Sequence, residues 1–193
     1  SINFYNSNLK ILNSNFYENI TGDDYVNIVN SEFDISDIIF NRVKHDAIDI
    51  DYSNGNINNI YSIDTGNDVL DLSKSNVKLS NFDAKNVQDK AISIGEKSKL
   101  NAENINIDKA FIGIAIKDDS NVLIDNVNIS NTNYGIATYI KKIEYDPVQG
   151  KKTEAGRERG CGVVRRRETR EYDDARAGAG YIGRTLPMRG VWL

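Results

Sequence analysis

The sequence predicts an all-β chain, a right-handed parallel β-helix of about six coils, each with 22 residues and three short strands. Three observations carry that prediction: a tetrapeptide that recurs at a fixed interval, a second column in step with it, and a period-two alternation within each repeat. The tetrapeptides are YVNI (25–28), AIDI (47–50), VLDL (69–72), AISI (91–94), GIAI (113–116) and GIAT (135–138), each starting 22 residues after the last. The second column is Asn15-Phe16, Asp37-Ile38, Asn59-Ile60, Asn81-Phe82, Asn104-Ile105 and Asn126-Val127, with steps of 22, 22, 22, 23 and 22. The extra residue falls in the run 95–98 and is offset by one fewer between Ile105 and Ile112, so the coil keeps its length.

The first strand of each coil sets Val26/Ile28, Ile48/Ile50, Leu70/Leu72, Ile92/Ile94 and Ile114/Ile116 on one face, with Asn27, Asp49, Asp71, Ser93 and Ala115 between them. A second strand reads at Phe33/Ile35, Val77/Leu79, Leu100/Ala102 and Val122/Ile124, and a third at Ile38/Phe40, Phe82/Ala84, Ile105/Ile107 and Val127/Ile129. Only turn-length gaps separate them, which leaves no room for helices. One coil cannot bury its inward face alone, but stacked coils about 4.8 Å apart bury a continuous apolar column. Left-handed β-helices are built from hexapeptides, and parallel crossovers wind to the right, so the right-handed form is expected. Asn15, Asn59, Asn81, Asn104 and Asn126, with Asp37 the one departure, read as a structural ladder at a turn, because Asn tolerates left-handed backbone and bonds to its neighbours.

Composition divides the chain. Residues 1–150 hold 25 Asn, 24 Ile and one Arg (Arg42), with 13 Lys and Arg against 22 Asp and Glu. Residues 151–193 hold no Asn, one Ile, nine Arg and an excess of basic over acidic groups. The domain reading is therefore a β-helix over 1–142, a fragment without caps, and an aperiodic basic tail over 143–193, read as disordered or non-native. Arg165, Arg166 and Arg167 form a patch for a polyanion if the tail is a genuine extension. The single Cys161 excludes an intrachain disulfide framework and cysteine-rich zinc sites, and the single His45 excludes multi-histidine metal sites. With 39% hydrophobic residues and a net charge of −4, neither a membrane span nor nucleic-acid binding by the whole chain is expected.

At DAIDIDYSNG (46–55), GNDVLDLSKSNV (66–77), KAISIGEKS (90–98), GIAIKDDSNV (113–122) and YGIATYIKK (134–142) the sequence resembles the right-handed parallel β-helix repeat superfamily, the pectate-lyase-like fold. It is most similar to β-helix segments found beside CotH-type domains in secreted bacterial proteins. The likeness covers roughly residues 1–142 and implies the fold and an extracellular or cell-surface setting. It implies little about activity, because one fold hosts lyases, hydrolases, adhesins and spikes.

Chemistry is expected on the outward side of the first strand. One column reads Asp24, Asp46, Asp68, Lys90 and the next Asn27, Asp49, Asp71, Ser93, with Asp51 two residues beyond Asp49. Carboxylates stacked about 5 Å apart raise one another's pKa unless something compensates. A solvated acidic face and a structural Ca²⁺ site formed by Asp46, Asp49, Asp51, Asp68 and Asp71 are the first readings, since Ca²⁺ takes six to eight oxygens. A catalytic groove is the second. The resemblance implies that uronate lyases hold Ca²⁺ with Asp residues here and use a Lys or Arg as base, which would be Lys90, directly above Asp68 in the ladder, with Asp71 as the second catalytic candidate and Lys117 and Arg42 as lesser bases. A hydrolase would draw its carboxylates from Asp46, Asp49 and Asp71. His45 and Tyr52 are candidate sugar contacts, as are Tyr61, Tyr134 and Tyr139, although each also reads as an ordinary surface residue.

Two functions compete. One is a non-catalytic β-helix scaffold or glycan-contacting module of a larger secreted or surface protein. The other is a Ca²⁺-dependent polysaccharide lyase or related glycan-active enzyme. The regular repeat, which lacks loops long enough to wall a cleft, favours the first.

Overall fold

In the computed structural model, residues 1–19 and 21–145 and the backbone of 191–192 are described. Eleven strands follow in order: β1 (Ile2–Tyr5), β2 (Asn8–Asn19), β3 (Asp24–Val29), β4 (Glu32–Val43), β5 (Asp46–Asp51), β6 (Asn54–Thr65), β7 (Leu70–Ser73), β8 (Asn76–Gly95), β9 (Lys99–Lys117), β10 (Asn121–Ser130) and β11 (Tyr134–Tyr139). A 3-10 turn (Ile143–Tyr145) and β12 (Val191–Trp192) complete them. Strands β1 to β11 pair in parallel, each with the strand one coil away, so the chain is a parallel β-solenoid of about six turns. No helix among the described residues is long and apolar enough to cross a membrane.

Each coil has three sides because it bends at three corners. The corners are residues with φ near +50°, such as Asn30, Asp37 and Arg42 in one coil and Lys74, Asn81 and Asn86 two coils on. Left-handed backbone costs a residue with a β-carbon of order 1 kcal/mol or more, and Asn and Asp bear it best. Among the described residues Asn occupies nine of these left-handed positions and Asp four. That demand accounts for much of the Asn content. The long strands β2, β4 and β6 each turn such a corner midway, at Asn13, Asp37 and Asn59, and so serve two sides of the coil.

The step is 22 residues from β3 onward: Val26 lies beside Ile48, Ile48 beside Leu70, and Leu70 beside Ile92. The extra residue expected in 95–98 is present as a doubled corner at Glu96 and Lys97, and the compensating irregularity falls between Val87 and Lys90. The first coil differs from the expected spacing. Leu9 lies beside Phe33 and Phe16 beside Phe40, a step of 24. The two added residues sit in the turn before β3, where Gly22 adopts φ 98°. Asn15 is therefore not the corner: it lies beside Ile39, and Asn13, with φ 48°, stands where Asp37 stands in the next coil.

The inward columns meet in one core. Val26, Ile48, Leu70, Ile92, Ile114 and Ile136 stack through all six turns, and none is more than 7% exposed. Burying each such side chain contributes about 1.5–3 kcal/mol, so the column alone is a large share of what opposes chain entropy. Phe40 is fully buried and stacks on Phe16 with ring centroids 5.0 Å apart.

Polar ladders tie the coils together. Asn59 Nδ2 donates to Asp37 Oδ1 at 2.6 Å, Asn104 Nδ2 to Asn81 Oδ1 at 3.1 Å and Asn126 Nδ2 to Asn104 Oδ1 at 2.7 Å. A second ladder, of serines, runs inside: Ser31 N donates to Ser53 Oγ at 2.9 Å, Ser53 N to Ser75 Oγ at 3.0 Å and Ser75 N to Ser98 Oγ at 3.1 Å. Of the basic tail, the 3-10 turn and the antiparallel pairing of β12 with β10 (Trp192 beside Leu123) are described. The remaining expectations for the tail, including Cys161 and Arg165–167, fall outside the described residues.

Candidate functional site

The fold sets the acidic residues on two outward columns of the first side, as their spacing requires. Asp24 lies beside Asp46, Asn27 beside Asp49, Asp49 beside Asp71 and Asp71 beside Ser93. Their inward neighbours Ile48, Ile50, Leu70 and Leu72 are buried in the core, and this fixes which way the Asp residues point.

The Asp24–Lys90 column leaves solvent as it rises. Asp46 is half-buried, and its Oδ1 accepts from Asn67 Nδ2 at 2.6 Å and from the Asp68 N–H at 2.7 Å. Asp68 is 2% exposed, which corrects its expected place on a solvated face. Its Oδ1 accepts the Lys90 N–H at 3.0 Å and lies 3.1 Å from Lys90 Nζ. Lys90 also pairs with Asp89.

The second column is more open and more crowded with like charge. Burial, then Asp51, Asp71, Asp24 and Asp46, push the Asp49 carboxyl up to about 8. Burial raises Asp46 to about 6, with its backbone bond from Asp68 acting against the rise. Asp51 and Asp24 are raised too, first by burial and then by acidic neighbours, Glu96 for Asp51 and Asp23 for Asp24. Lys117 reaches into this column from two coils away. Its side chain lies over Gly95, the Cε coming within 3.3 Å of where a β-carbon would stand, and brings Nζ to 3.8 Å from Asp71 Oδ1.

For Lys90, burial alone would lower the ammonium pKa, but Asp68 and then Asp89 reverse it and the net displacement is upward. Burial likewise raises Asp68 against the pull of Lys90.

The structure does not assemble the five Asp residues into a cation shell. Among the described residues no three His, Cys, Asp or Glu side chains come close enough together to hold a metal ion. The lone pairs of Asp46 and Asp68 are partly used by the backbone and Lys90, and the rungs keep Asp49 and Asp71 on separate strands.

The candidate sugar contacts are dispersed. Tyr52 is a left-handed corner, 54% exposed, with Lys74 Nζ 3.0 Å from its hydroxyl and 4.8 Å from its ring centre. His45 is half-buried in the turn before β5, its carbonyl accepting from the Asn67 N–H at 3.2 Å. Tyr61 carries Lys85 over its ring, and Tyr134 packs edge-on against Phe111. An open groove of about 280 Å³ lies at the third corner, lined by Arg42, Lys44, Asp64, Gly66, Asn86 and Gln88 among others. None of the five Asp residues, nor Lys90, lines it.

Two partners were not anticipated from sequence. Asp89 completes the clamp on Lys90, and Glu96 pairs with Lys142 at the edge of the acidic face. Asp89 is visible beside Lys90 in the chain, but the pairing depends on a bend that spacing does not report.

No protein family and no curated protein matches the sequence. Among solved structures, one that matches is QnrB1 in a trypsin-treated variant form, described as a plasmid-mediated fluoroquinolone resistance protein. The alignment is 12% identical, covers 62% of this chain and 83% of that one, and has a TM-score of 0.17, too low to carry an argument. The class that the fold itself defines is a parallel β-solenoid with an acidic first side.

Proposed function

We propose that the chain is a non-catalytic β-helix module, a rigid scaffold with a glycan-contacting surface, within a larger secreted or surface protein. The observation that carries this reading is the state of Lys90. Held by Asp68 and Asp89, with its pKa displaced upward, it is a charged structural group and a poor base for lyase chemistry. The Asn and Ser ladders support the scaffold role, because they spend outward and inward polar groups on joining coil to coil. The sequence resemblance to pectate-lyase-like and CotH-associated segments supports the extracellular setting, and exposed Tyr52 offers a face for a sugar ring.

The test is to incubate the full chain with polygalacturonate and alginate, with and without Ca²⁺. Release of unsaturated uronate is followed by ultraviolet absorbance, and retention of the protein on the immobilised polymers is followed in parallel. Retention without release is expected. Release of unsaturated uronate by the parent protein, dependent on Ca²⁺, would overturn the reading in favour of a lyase.

A further inference from the structure

Through the stack the chain leaves each first corner in one way. The residue that opens the second side donates its N–H to a serine carbonyl of the coil before: Asn54 to Ser31 at 3.0 Å, Asn76 to Ser53 at 3.0 Å, Lys99 to Ser75 at 2.8 Å and Asn121 to Ser98 at 2.9 Å. Among the described residues nothing continues that series one coil on, and Ser120 Oγ is buried without a partner. The Lys141 and Lys142 N–H groups instead both donate to Asp118 Oδ1, at 2.7 Å and 2.8 Å. Asp118 is 2% exposed and is itself a left-handed corner, with φ 53°. The backbone ladder is regular as far as Tyr139, whose carbonyl accepts from the Asp118 N–H at 3.3 Å. The spiral therefore breaks just above Asp118.

Two side-chain contacts then carry residues 140–145 back along the stack. Lys142 pairs with Glu96, 46 residues earlier and two coils down. Glu96 is held in turn by Ser73 Oγ, which donates to it at 3.4 Å, and by Lys74 Nζ at 4.0 Å. Lys97 Nζ stands 5.6 Å from the ring centre of Tyr145. The 3-10 turn closes the run, with the Tyr145 N–H donating to the Lys142 carbonyl at 3.1 Å. Partly exposed ion pairs and surface cation–π contacts each add little. The buried Asp118 carboxylate, accepting two charge-assisted bonds from successive N–H groups, is the stronger hold.

We propose that residues 140–145 are a strap that ends the regular winding and fixes where the chain leaves the stack, with Asp118 as its anchor and Glu96 as its outer hold. A scaffold passes on orientation only if its exit is stiff, so the strap is the joint between the β-helix and the chain that follows. The inference goes beyond the scaffold role, because the strap opens as a unit of its own. Opening breaks two bonds to Asp118 and one ion pair, while the rungs joining β5 to β7, β7 to β8 and β8 to β9 all remain.

The test is amide hydrogen exchange of the full chain by NMR, with trypsin cleavage after Lys141 and Lys142 followed by mass spectrometry. In the parent the Lys141 and Lys142 amides should exchange at least about tenfold more slowly than in an unstructured peptide. Asp118→Ala should remove that protection and speed both cuts by about tenfold or more, while the amides of β5 to β9 keep theirs. Asp118→Asn, which retains an oxygen acceptor without the charge, should fall between the two. Glu96→Gln leaves Asp118 in place and should speed the cut after Lys142 by only about threefold. Parent amides that exchange at the unstructured rate, or cuts as fast in the parent as in Asp118→Ala, would overturn the proposal. So would a loss of protection spread evenly over β5 to β9 in both Asp118 variants, because Asp118 would then support the whole stack and not the strap.

Discussion

Ser53→Ala probes the internal serine ladder at its centre. The Ser53 side chain is fully buried, its Oγ accepts the Ser31 N–H at 2.9 Å and donates to the Asp51 carbonyl at 2.7 Å. That carbonyl also accepts from the Asn30 N–H at 2.9 Å, so it keeps a partner in the variant. The Ser31 N–H does not. Ala leaves it buried and unpaired, which costs about 1–3 kcal/mol, and the small loss of volume adds little. For a chain of this size a loss near the middle of that range lowers Tm by about 4–8 °C. Differential scanning calorimetry on parent and variant measures the shift, and urea unfolding at constant m-value separates stability from a change in compactness. A Tm within about 1 °C of the parent would refute the reasoning, since the ladder would then add nothing over water or backbone adjustment.

Lys90→Ala leaves Asp68 buried without its cation and is expected to cost about 3–5 kcal/mol in urea unfolding, far more than an exposed lysine would. Gly66→Ala places a β-carbon 2.0 Å from the Lys44 carbonyl oxygen, where backbone must give way, and is expected to lower the urea midpoint by the equivalent of about 2 kcal/mol or more.

Much of this molecule was legible because each coil repeats the same physical problem. A side chain that alternates with period two and recurs every 22 residues must lie beside its counterpart, so the pairings of Asp49 with Asp71 and of Ile48 with Leu70 follow from counting. The serine column at Ser31, Ser53, Ser75 and Ser98 was equally countable, yet its role lies in backbone N–H groups that a hydrophobic pattern does not mark. The first coil misled for a definite reason. Asn13 and Asn15 are both good corner residues, and only the turn around Gly22, two residues longer than its counterparts, decides between them.

The sequence by itself determined the all-β architecture, the turn number and, from the second coil on, which residues share a column, because those depend on spacing and on which side chains avoid water. The tertiary structure alone decided the state of each group in its column. Asp68 and Lys90 vanish between coils as a pair, and Lys117 crosses the gap at Gly95 to stand 3.8 Å from Asp71 Oδ1. Spacing places residues on rungs, but desolvation and partnership depend on distances of a few ångströms across three or more rungs, and those are set only when the whole stack is packed.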